Sequence, residues 1–125
     1  NNNNNKNMTK IQKKNIQIRY ATWNVKTLLQ NSKLENLKVE MDKMNVDVLG
    51  IAEMRWPDGG DFWSGEYRVI YSDTYKPGQG GVGIVLKKDL GKRVKGYVHR
   101  KGRIILVKLD TEPINTTVIQ VYMPT

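Results

Sequence analysis

The stretch IQIRYATWNVKTLLQNSKLENLKVEMDKMNVDVLGIAE, residues 16–53, predicts a strand, a helix and a second strand in that order. Its first part has the two-residue period of a strand, with one face made by Ile16, Ile18, Tyr20 and Thr22. Its middle places apolar residues on one stripe of a helix, at Leu34, Leu37, Met41 and Met44. A capping box, Ser32 with Glu35, precedes that stripe. The apolar run from Val46 to Glu53 follows the helix closely and predicts a parallel strand, so both strands end at one sheet edge.

Further strands are predicted beyond a loop rich in proline and glycine, RWPDGGDFWSG at 55–65. The runs with apolar and β-branched residues typical of strands are YRVIY (67–71), GVGIVL (81–86), RIILVKL (103–109) and TTVIQVY (116–122). The turn PGQGG joins the first two runs, and DTEPIN has the polar residues and the proline of a hairpin between the last two. We interpret GQGGVG as part of that turn, because it lacks the Lys-Ser/Thr pair of a phosphate-binding loop.

The charge of this 125-residue chain is unevenly distributed, with a formal net charge of +9 at pH 7. Residues 1–20 carry five bases and no acid, and residues 87–108 carry nine bases against Asp89 alone. A polyanion is the natural partner of such segments, although basic runs are also common on solvated surfaces. The opening NNNNNKNMTKIQKKN is too polar to offset its ordering entropy. We therefore predict a disordered tail over 1–15 and one domain over 16–125.

The composition excludes several classes of protein. The chain has no cysteine, so disulfide-linked partners, zinc-thiolate sites and thiol nucleophiles are ruled out. No apolar run reaches the roughly 20 residues of a membrane span, and the first residues contain no signal-peptide stretch. The sequence therefore predicts an intracellular protein that is neither secreted nor inserted in a membrane.

Polar side chains stand at the ends of apolar strands, namely Asn24, Glu53 and Tyr122. If the strands are arranged as above, these residues converge on one edge of a sheet, where open α/β folds bind ligands. A strand-end carboxylate is the hard oxygen ligand that Mg²⁺ takes, together with waters and substrate phosphate. The alternatives are a surface carboxylate paired with Arg55, a turn asparagine, and a strand tyrosine that caps the core.

Other residues that could carry chemistry give weaker signals. His99, the only histidine, lies in GYVHRKGR, and we interpret it as a solvated residue of a basic loop rather than a catalytic one. Trp56, Phe62 and Trp63 cluster in the loop after Glu53. Such aromatic side chains can stack on exposed bases, but anchoring of the loop is the simpler interpretation.

Five segments of the sequence resemble the endonuclease/exonuclease/phosphatase superfamily: ATWNVKTL (21–28), KLENLKVEMDKMNVDVLGIAEMRW (33–56), GGVGIVLKK (80–88), GRIILVKL (102–109) and IQVYMPT (119–125). The particular likeness is to the apurinic-type endonuclease domain of non-LTR (LINE-type) retrotransposons and the related craniofacial development protein 2-like sequences. The resemblance implies a four-layer α/β/β/α sandwich, of which this chain supplies the first half. It also implies DNA as the partner, and a nuclear location if the chain derives from a retrotransposon.

Site roles also follow from the resemblance. Asn24 is implied to belong to the phosphate and metal site, Glu53 to bind Mg²⁺ or Mn²⁺, and Tyr122 to contact the scissile phosphate. The bases implied to contact the nucleic acid are Arg55, Arg103 and Lys26. In the family a histidine-activated water attacks phosphorus, and the Asp-x-Asn and Ser-Asp-His motifs that complete the site are not among these residues.

The resemblance therefore implies a truncated phosphodiesterase domain that does not cleave by itself. We expect the inner face of the first sheet to be left uncovered, which favours aggregation or self-association. Two other functions stay open. One is a non-catalytic nucleic-acid-binding module built on the basic tail and residues 87–108, and the other is a lipid or inositol phosphatase of the same superfamily.

Overall fold

The computed structural model describes residues 17–24 and 31–124. Its first unit consists of β1 (Tyr20–Asn24), helix α1 (Asn31–Met44) and β2 (Val48–Ala52). The strands β1 and β2 are parallel neighbours, and Asn24 stands beside Ala52 in their register. This arrangement confirms the βαβ unit predicted from residues 16–53, including the common edge at which both strands end.

The described elements that follow are β3 (Gly60–Ser64), β4 (Tyr67–Tyr71), β5 (Val82–Lys87), the short helix α2 (Lys88–Gly91), β6 (Val94–Arg100), β7 (Ile104–Leu109) and β8 (Thr116–Val121). They complete a five-stranded sheet in the order β1-β2-β5-β4-β3 and form a three-stranded sheet in the order β6-β7-β8. β4 and β5 are antiparallel, as are β7 and β8, so both predicted hairpins are confirmed.

The structure adds elements that the sequence did not predict. Strand β3 lies inside the predicted loop at 55–65, and β6 contains His99, which is therefore not a loop residue. Strand β1 begins at Tyr20 and not at Ile16. Immediately before it, the backbone N–H of Arg19 donates to the carboxylate of Asp47 at 2.8 Å, so a side chain takes the place of a strand partner there.

Three predicted features lie outside the described residues. They are the tail over 1–15, the base Lys26 and the side chain of Ser32 in the capping box. Each of them stays a prediction.

Helix α1 covers one face of the five-stranded sheet. Leu34, Leu37 and Met41 are buried in one apolar cluster with side chains from β2, β4 and β5. Met44, predicted on the same stripe, is 60% exposed, so that part of the prediction was wrong. It ends the helix at the sheet's margin, where it lines a groove with Trp23 of the edge strand β1.

The three-stranded sheet covers the other face of the five-stranded sheet. The inward side chains of β2, β4 and β5 are fully buried against those of β7 and β8 in a second cluster, which contains Ile70, Ile84, Ile105 and Leu109. The expectation that the first sheet's inner face would be uncovered was therefore wrong. The basic stretch at 87–108 that looked like surface contains β6 and most of β7. Alternate residues of β7 are buried in this core, and the partly buried Val94 of β6 packs against it.

Exposed apolar side chains lie instead on the outer side of the three-stranded sheet. We call this surface the outer face and define it by Val98, Ile104, Ile119 and Val121, which are 38% to 54% exposed. Alternation along each strand produces it, because the residues between them point into the core. A helix, a five-stranded sheet and a three-stranded sheet thus form successive layers of the expected sandwich.

A charged cluster joins the far edges of the two sheets. Arg68 binds Asp61 with two hydrogen bonds, of 2.9 and 2.7 Å, and also donates to the backbone carbonyl of Gly91 at 2.8 Å. The Tyr97 hydroxyl of β6 bonds the same carboxylate. The Arg68 guanidinium holds the pKa of Asp61 below its usual range, against the opposing effect of burial.

We predict that Asp61→Asn lowers the free energy of unfolding at pH 7 by about 1–2 kcal/mol, since the bidentate pair is only partly exposed. A carboxyl group whose pKa is depressed by folding stabilises the protein above its unfolded pKa, and the contribution disappears as pH falls through the folded pKa. The difference between wild type and variant should therefore shrink below about pH 4. Urea unfolding at pH 7 and pH 3 measures it.

Glu66→Gln is the matched control, because Glu66 pairs only with the exposed Lys88 at 3.3 Å. We expect this control to change stability by less than about 0.5 kcal/mol. An equal loss for Asp61→Asn at both pH values would contradict an electrostatic role of the cluster.

Candidate active site at the end of strand β2

The chain turns sharply after β2. Glu53 and Arg55 have φ values of 65° and 58°, a left-handed conformation that is unusual for residues other than glycine. Two hydrogen bonds hold this turn against the β4–β5 hairpin, from Met54 N–H to the Gly81 carbonyl at 3.2 Å and from Arg55 N–H to the Gly80 carbonyl at 3.0 Å. Such conformations persist where surrounding contacts enforce them, and they concentrate at functional sites.

The carboxylate of Glu53 is buried by this turn, with 8% of the residue exposed. It accepts a hydrogen bond from the Arg55 guanidinium at 2.8 Å. The Tyr122 hydroxyl and the Gly80 backbone N–H also face the carboxylate and stabilise its charge. Burial raises the pKa of Glu53, but these donors outweigh it, so the pKa lies below its ordinary value. The group is therefore an anion at neutral pH.

Tyr122 reaches this carboxylate from the second sheet. It directly follows β8, and its backbone N–H donates to the Arg103 carbonyl at 2.7 Å. The amide nitrogen of Gln79 donates to the Tyr122 hydroxyl oxygen at 3.3 Å. Because an amide N–H₂ only donates and an ionised carboxylate only accepts, the single phenolic proton is directed toward Glu53.

Asn24 lies at the same edge, one position back along the neighbouring strand. Its backbone stands beside Ala52, the residue before Glu53, and its side chain is exposed. The structure therefore brings the Tyr122 hydroxyl to the Glu53 carboxylate, and it places Asn24 at the end of the neighbouring strand, opposite Ala52. It differs from the prediction in one respect, since Tyr122 belongs to the second sheet and the three residues do not share one sheet's edge.

Three basic residues were predicted to contact nucleic acid, and the structure describes two of them, Arg55 and Arg103. Arg55 lies in the site and bonds Glu53. Arg103 lies beside it, with its guanidinium carbon 5.5 Å from the ring centre of Tyr75. Lys26 lies outside the described residues, so its role stays a prediction.

The sequence did not indicate that the β4–β5 hairpin forms a wall of the site. Gln79 and Gly80 both contact the functional pair, although the sequence pattern predicts only a turn there. Gly80 has a φ of 79°, and a β-carbon there would stand 2.7 Å from the Cβ of Tyr75 and 3.1 Å from the Tyr122 ring. The run of glycines was the available signal for this close approach, while nothing in the sequence marked Gln79.

The other residues that the sequence singled out make contacts within the fold; they are His99, Trp56, Phe62 and Trp63. His99 lies in β6 against Gly59, where a β-carbon would stand 3.0 Å from its Nε2. Trp56 packs edge-on against Tyr71 at 4.6 Å and stacks on Phe62 at 5.8 Å. These contacts support anchoring of the loop for Trp56 and Phe62. Trp63 stays half exposed, with the Arg68 guanidinium 6.0 Å from its ring centre.

Two of the solved structures with a similar fold are an AP endonuclease and a retrotransposon endonuclease domain. The chain matches the AP endonuclease LMAP from Leishmania major with a TM-score of 0.64 and 17% identity, over 84% of this chain and 40% of that one. It matches the endonuclease domain of TRAS1, a telomere-specific non-LTR retrotransposon, with a TM-score of 0.56 and 15% identity, over 86% and 45%. The chain therefore has the endonuclease/exonuclease/phosphatase-type fold that the sequence predicted.

No protein-family model matches the chain. Two proteins, however, are similar to it in sequence. It is 35% identical over 105 residues to craniofacial development protein 2 of Bos taurus, and 34% identical over 105 residues to that of Tragulus javanicus. Each alignment covers 84% of this chain and 18% of the relative, so the chain spans about a fifth of the length of these curated homologues. In the described part of the chain, no helix is long and apolar enough to cross a membrane.

We predict that Tyr122→Phe raises the pKa of Glu53 toward its ordinary value, because the variant removes one of the donors that stabilise the anion. Carbon-13 NMR titration of glutamate side-chain carboxyl groups measures the shift. Gln79→Met keeps the shape of the side chain but releases the phenolic proton to other acceptors, so a smaller rise is expected.

Tyr67→Phe serves as the control, since the Tyr67 hydroxyl bonds the carbonyl of Lys38 on helix α1. It should leave the Glu53 titration unchanged. An unchanged Glu53 pKa in Tyr122→Phe would contradict the contact across the two sheets.

Proposed function

We propose that this chain forms the amino-terminal part of a divalent-metal-dependent phosphodiesterase domain that acts on DNA, with Glu53 as its metal ligand. The observation that carries the proposal is the buried, ionised carboxylate of Glu53 at the end of a central strand, which is hydrogen-bonded to Arg55 and faced by the Tyr122 hydroxyl. The nuclease fold and the homologues support the same class. If the chain derives from a retrotransposon, its site of action is the nucleus.

The residues of the site fit Mg²⁺ or Mn²⁺. A carboxylate has about four lone-pair positions, and the Arg55 guanidinium bonds one oxygen of Glu53, so the carboxylate keeps positions that can bind an ion. Mg²⁺ commonly takes one or two protein carboxylates and completes its shell with waters and substrate phosphate. Asn24, beside Glu53 at the strand end, would supply a neutral amide oxygen. When bound, the ion neutralises charge that develops on the phosphate.

The chain's own side chains then have separate tasks. Glu53 holds the ion, and Arg55 keeps that carboxylate ionised and oriented. Tyr122 contacts the scissile phosphate from the opposite sheet, by turning its single phenolic proton from Glu53 to a phosphate oxygen when the substrate binds. Arg55, Arg103 and Lys26 bind the nucleic-acid backbone, where guanidinium and ammonium groups recognise phosphate oxygens.

In the family that the sequence resembles, a histidine of a Ser-Asp-His motif activates the water, and that motif is not among these 125 residues. Over residues 17–24 and 31–124, no three His, Cys, Asp or Glu side chains gather into a metal-binding group. His99, the one histidine of the chain, lies in β6 against Gly59, and no hydrogen bond between it and Glu53 is found among the described residues. We therefore propose that these 125 residues bind the ion but do not cleave by themselves.

We predict that the isolated chain binds Mn²⁺ at Glu53 and leaves a supercoiled plasmid uncut in the presence of magnesium. Paramagnetic broadening of NMR signals from residues 52–55 and 122 reports the ion. Glu53→Gln keeps the shape of the side chain but removes its charge, so Mn²⁺ affinity should fall about tenfold or more.

Glu66→Gln, a change of the same kind on the exposed surface, is expected to leave Mn²⁺ binding intact. Broadening that is identical in the wild type and in Glu53→Gln would remove the metal assignment. Plasmid nicking that disappears in Glu53→Ala would show instead that the chain contains its own water-activating group.

We also propose that the outer face mediates self-association, because its exposed side chains form one apolar surface across adjacent strands. The double variant Val98→Lys/Val121→Lys should shift the chain toward monomer in sedimentation velocity. Val39→Lys, which places a lysine at an exposed position of helix α1, is the control. A wild-type chain that stays monomeric at all concentrations would contradict this proposal.

A further inference from the structure

Two cations flank one aromatic ring beside the candidate active site. Tyr75, in the β4–β5 hairpin, has the Lys76 ammonium and the Arg103 guanidinium each 5.5 Å from its ring centre. The same ring lies 6.4 Å from that of Tyr122. Cations over aromatic faces are held by the ring's electrostatic field, so the ring positions both charges near Tyr122.

Backbone contacts fix these residues to the site. Tyr75 N–H and Lys76 N–H donate to the Gln79 carbonyl at 2.9 and 3.2 Å, and Gln79 N–H returns a bond to the Lys76 carbonyl at 2.8 Å. Gln79 itself bonds the Tyr122 hydroxyl. The carbonyl of Arg103 accepts from Tyr122 N–H. Both cations are therefore attached to the segments that position the Glu53–Tyr122 pair.

Neither cation is neutralised by a neighbouring acid in the described part of the chain. The ion pairs there involve Lys38, Lys43, Arg55, Arg68 and Lys88. The hairpin's own acid, Asp73, forms no ion pair with Lys76 or Arg103, and its Oδ1 is buried without a hydrogen-bond partner. Two cations on one aromatic ring without a carboxylate partner attract phosphate oxygens.

We propose that Lys76 and Arg103, held by Tyr75, form a second phosphate subsite that binds the phosphate next to the one contacted by Tyr122. This inference rests on the proposed function and extends it, because it adds Tyr75 and Lys76 to Arg103 as residues that bind the strand beyond the scissile phosphate. A single phosphate group would engage only one of the two subsites. The guanidinium offers paired donors to one phosphate and the ammonium adds a point charge.

The test is anisotropy of a labelled single-stranded 12-nucleotide DNA, measured in EDTA so that metal binding plays no part. In Lys76→Gln/Arg103→Gln, affinity should fall about tenfold at low salt. The slope of log K against log salt should become less steep by about 0.7 for each phosphate that the variant no longer neutralises. Lys92→Gln/Lys95→Gln, which removes the same charge from exposed residues on other elements, is the matched control and should change the slope by less than half as much.

Equal slopes of log K against log salt in the two double variants would contradict the subsite. The DNA would then be bound by general electrostatic attraction to a basic chain. Tighter binding of inositol hexakisphosphate than of the 12-nucleotide strand would overturn the nucleic-acid assignment in favour of a compact polyphosphate. These measurements use no divalent ion, so neither result bears on whether Glu53 binds Mn²⁺. Matching thermal unfolding of all variants shows that the differences arise from binding.

Discussion

The approach of the Tyr122 hydroxyl of the second sheet to the Glu53 carboxylate of the first is the contact on which the site depends. It exists only if two independent conditions are met. The turn after β2 must adopt its left-handed conformation, and the second sheet must pack on the first with β8 ending at that turn. The buried side chains of Ile84 and Ile105 supply the second condition, because they join the two sheets. Packing of the core therefore creates the geometry of the site.

The same dependence explains the composition of the β4–β5 hairpin. Gly80 and Gly81 adopt positive φ values and let the hairpin backbone approach Glu53 and Tyr122 closely. That approach brings Gln79 to the phenol and Tyr75 to the two cations. The β4–β5 hairpin, which looks like a simple turn in the sequence, thus stabilises the Glu53 carboxylate and orients the Tyr122 proton. It also places the Lys76 ammonium beside the site.

Sequence patterns predicted the elements whose signals are local. The strand period and the helical stripe of residues 16–53 indicated the βαβ unit, and the strand-end positions of Glu53 and Tyr122 indicated the site. Strand β6 was missed because glycine and bases interrupt its apolar alternation, and β3 was missed because glycine and proline surround it. Gln79 could not be found in this way, because its contact with Tyr122 joins residues 43 positions apart and arises only from sheet packing. Covering of the first sheet by β6–β8 was missed for the same reason.

We propose that Glu53, with Asn24 beside it and Tyr122 reaching it from the second sheet, holds one divalent ion, and anomalous diffraction from a crystal soaked in Mn²⁺ measures this directly. One ordered peak is expected at roughly 2.0–2.3 Å from a Glu53 carboxylate oxygen, the distance range of hard oxygen ligands, with the Asn24 amide turned toward it. An ordered Mn²⁺ elsewhere, with the Glu53 carboxylate still bonded only to its protein donors, would refute the metal assignment.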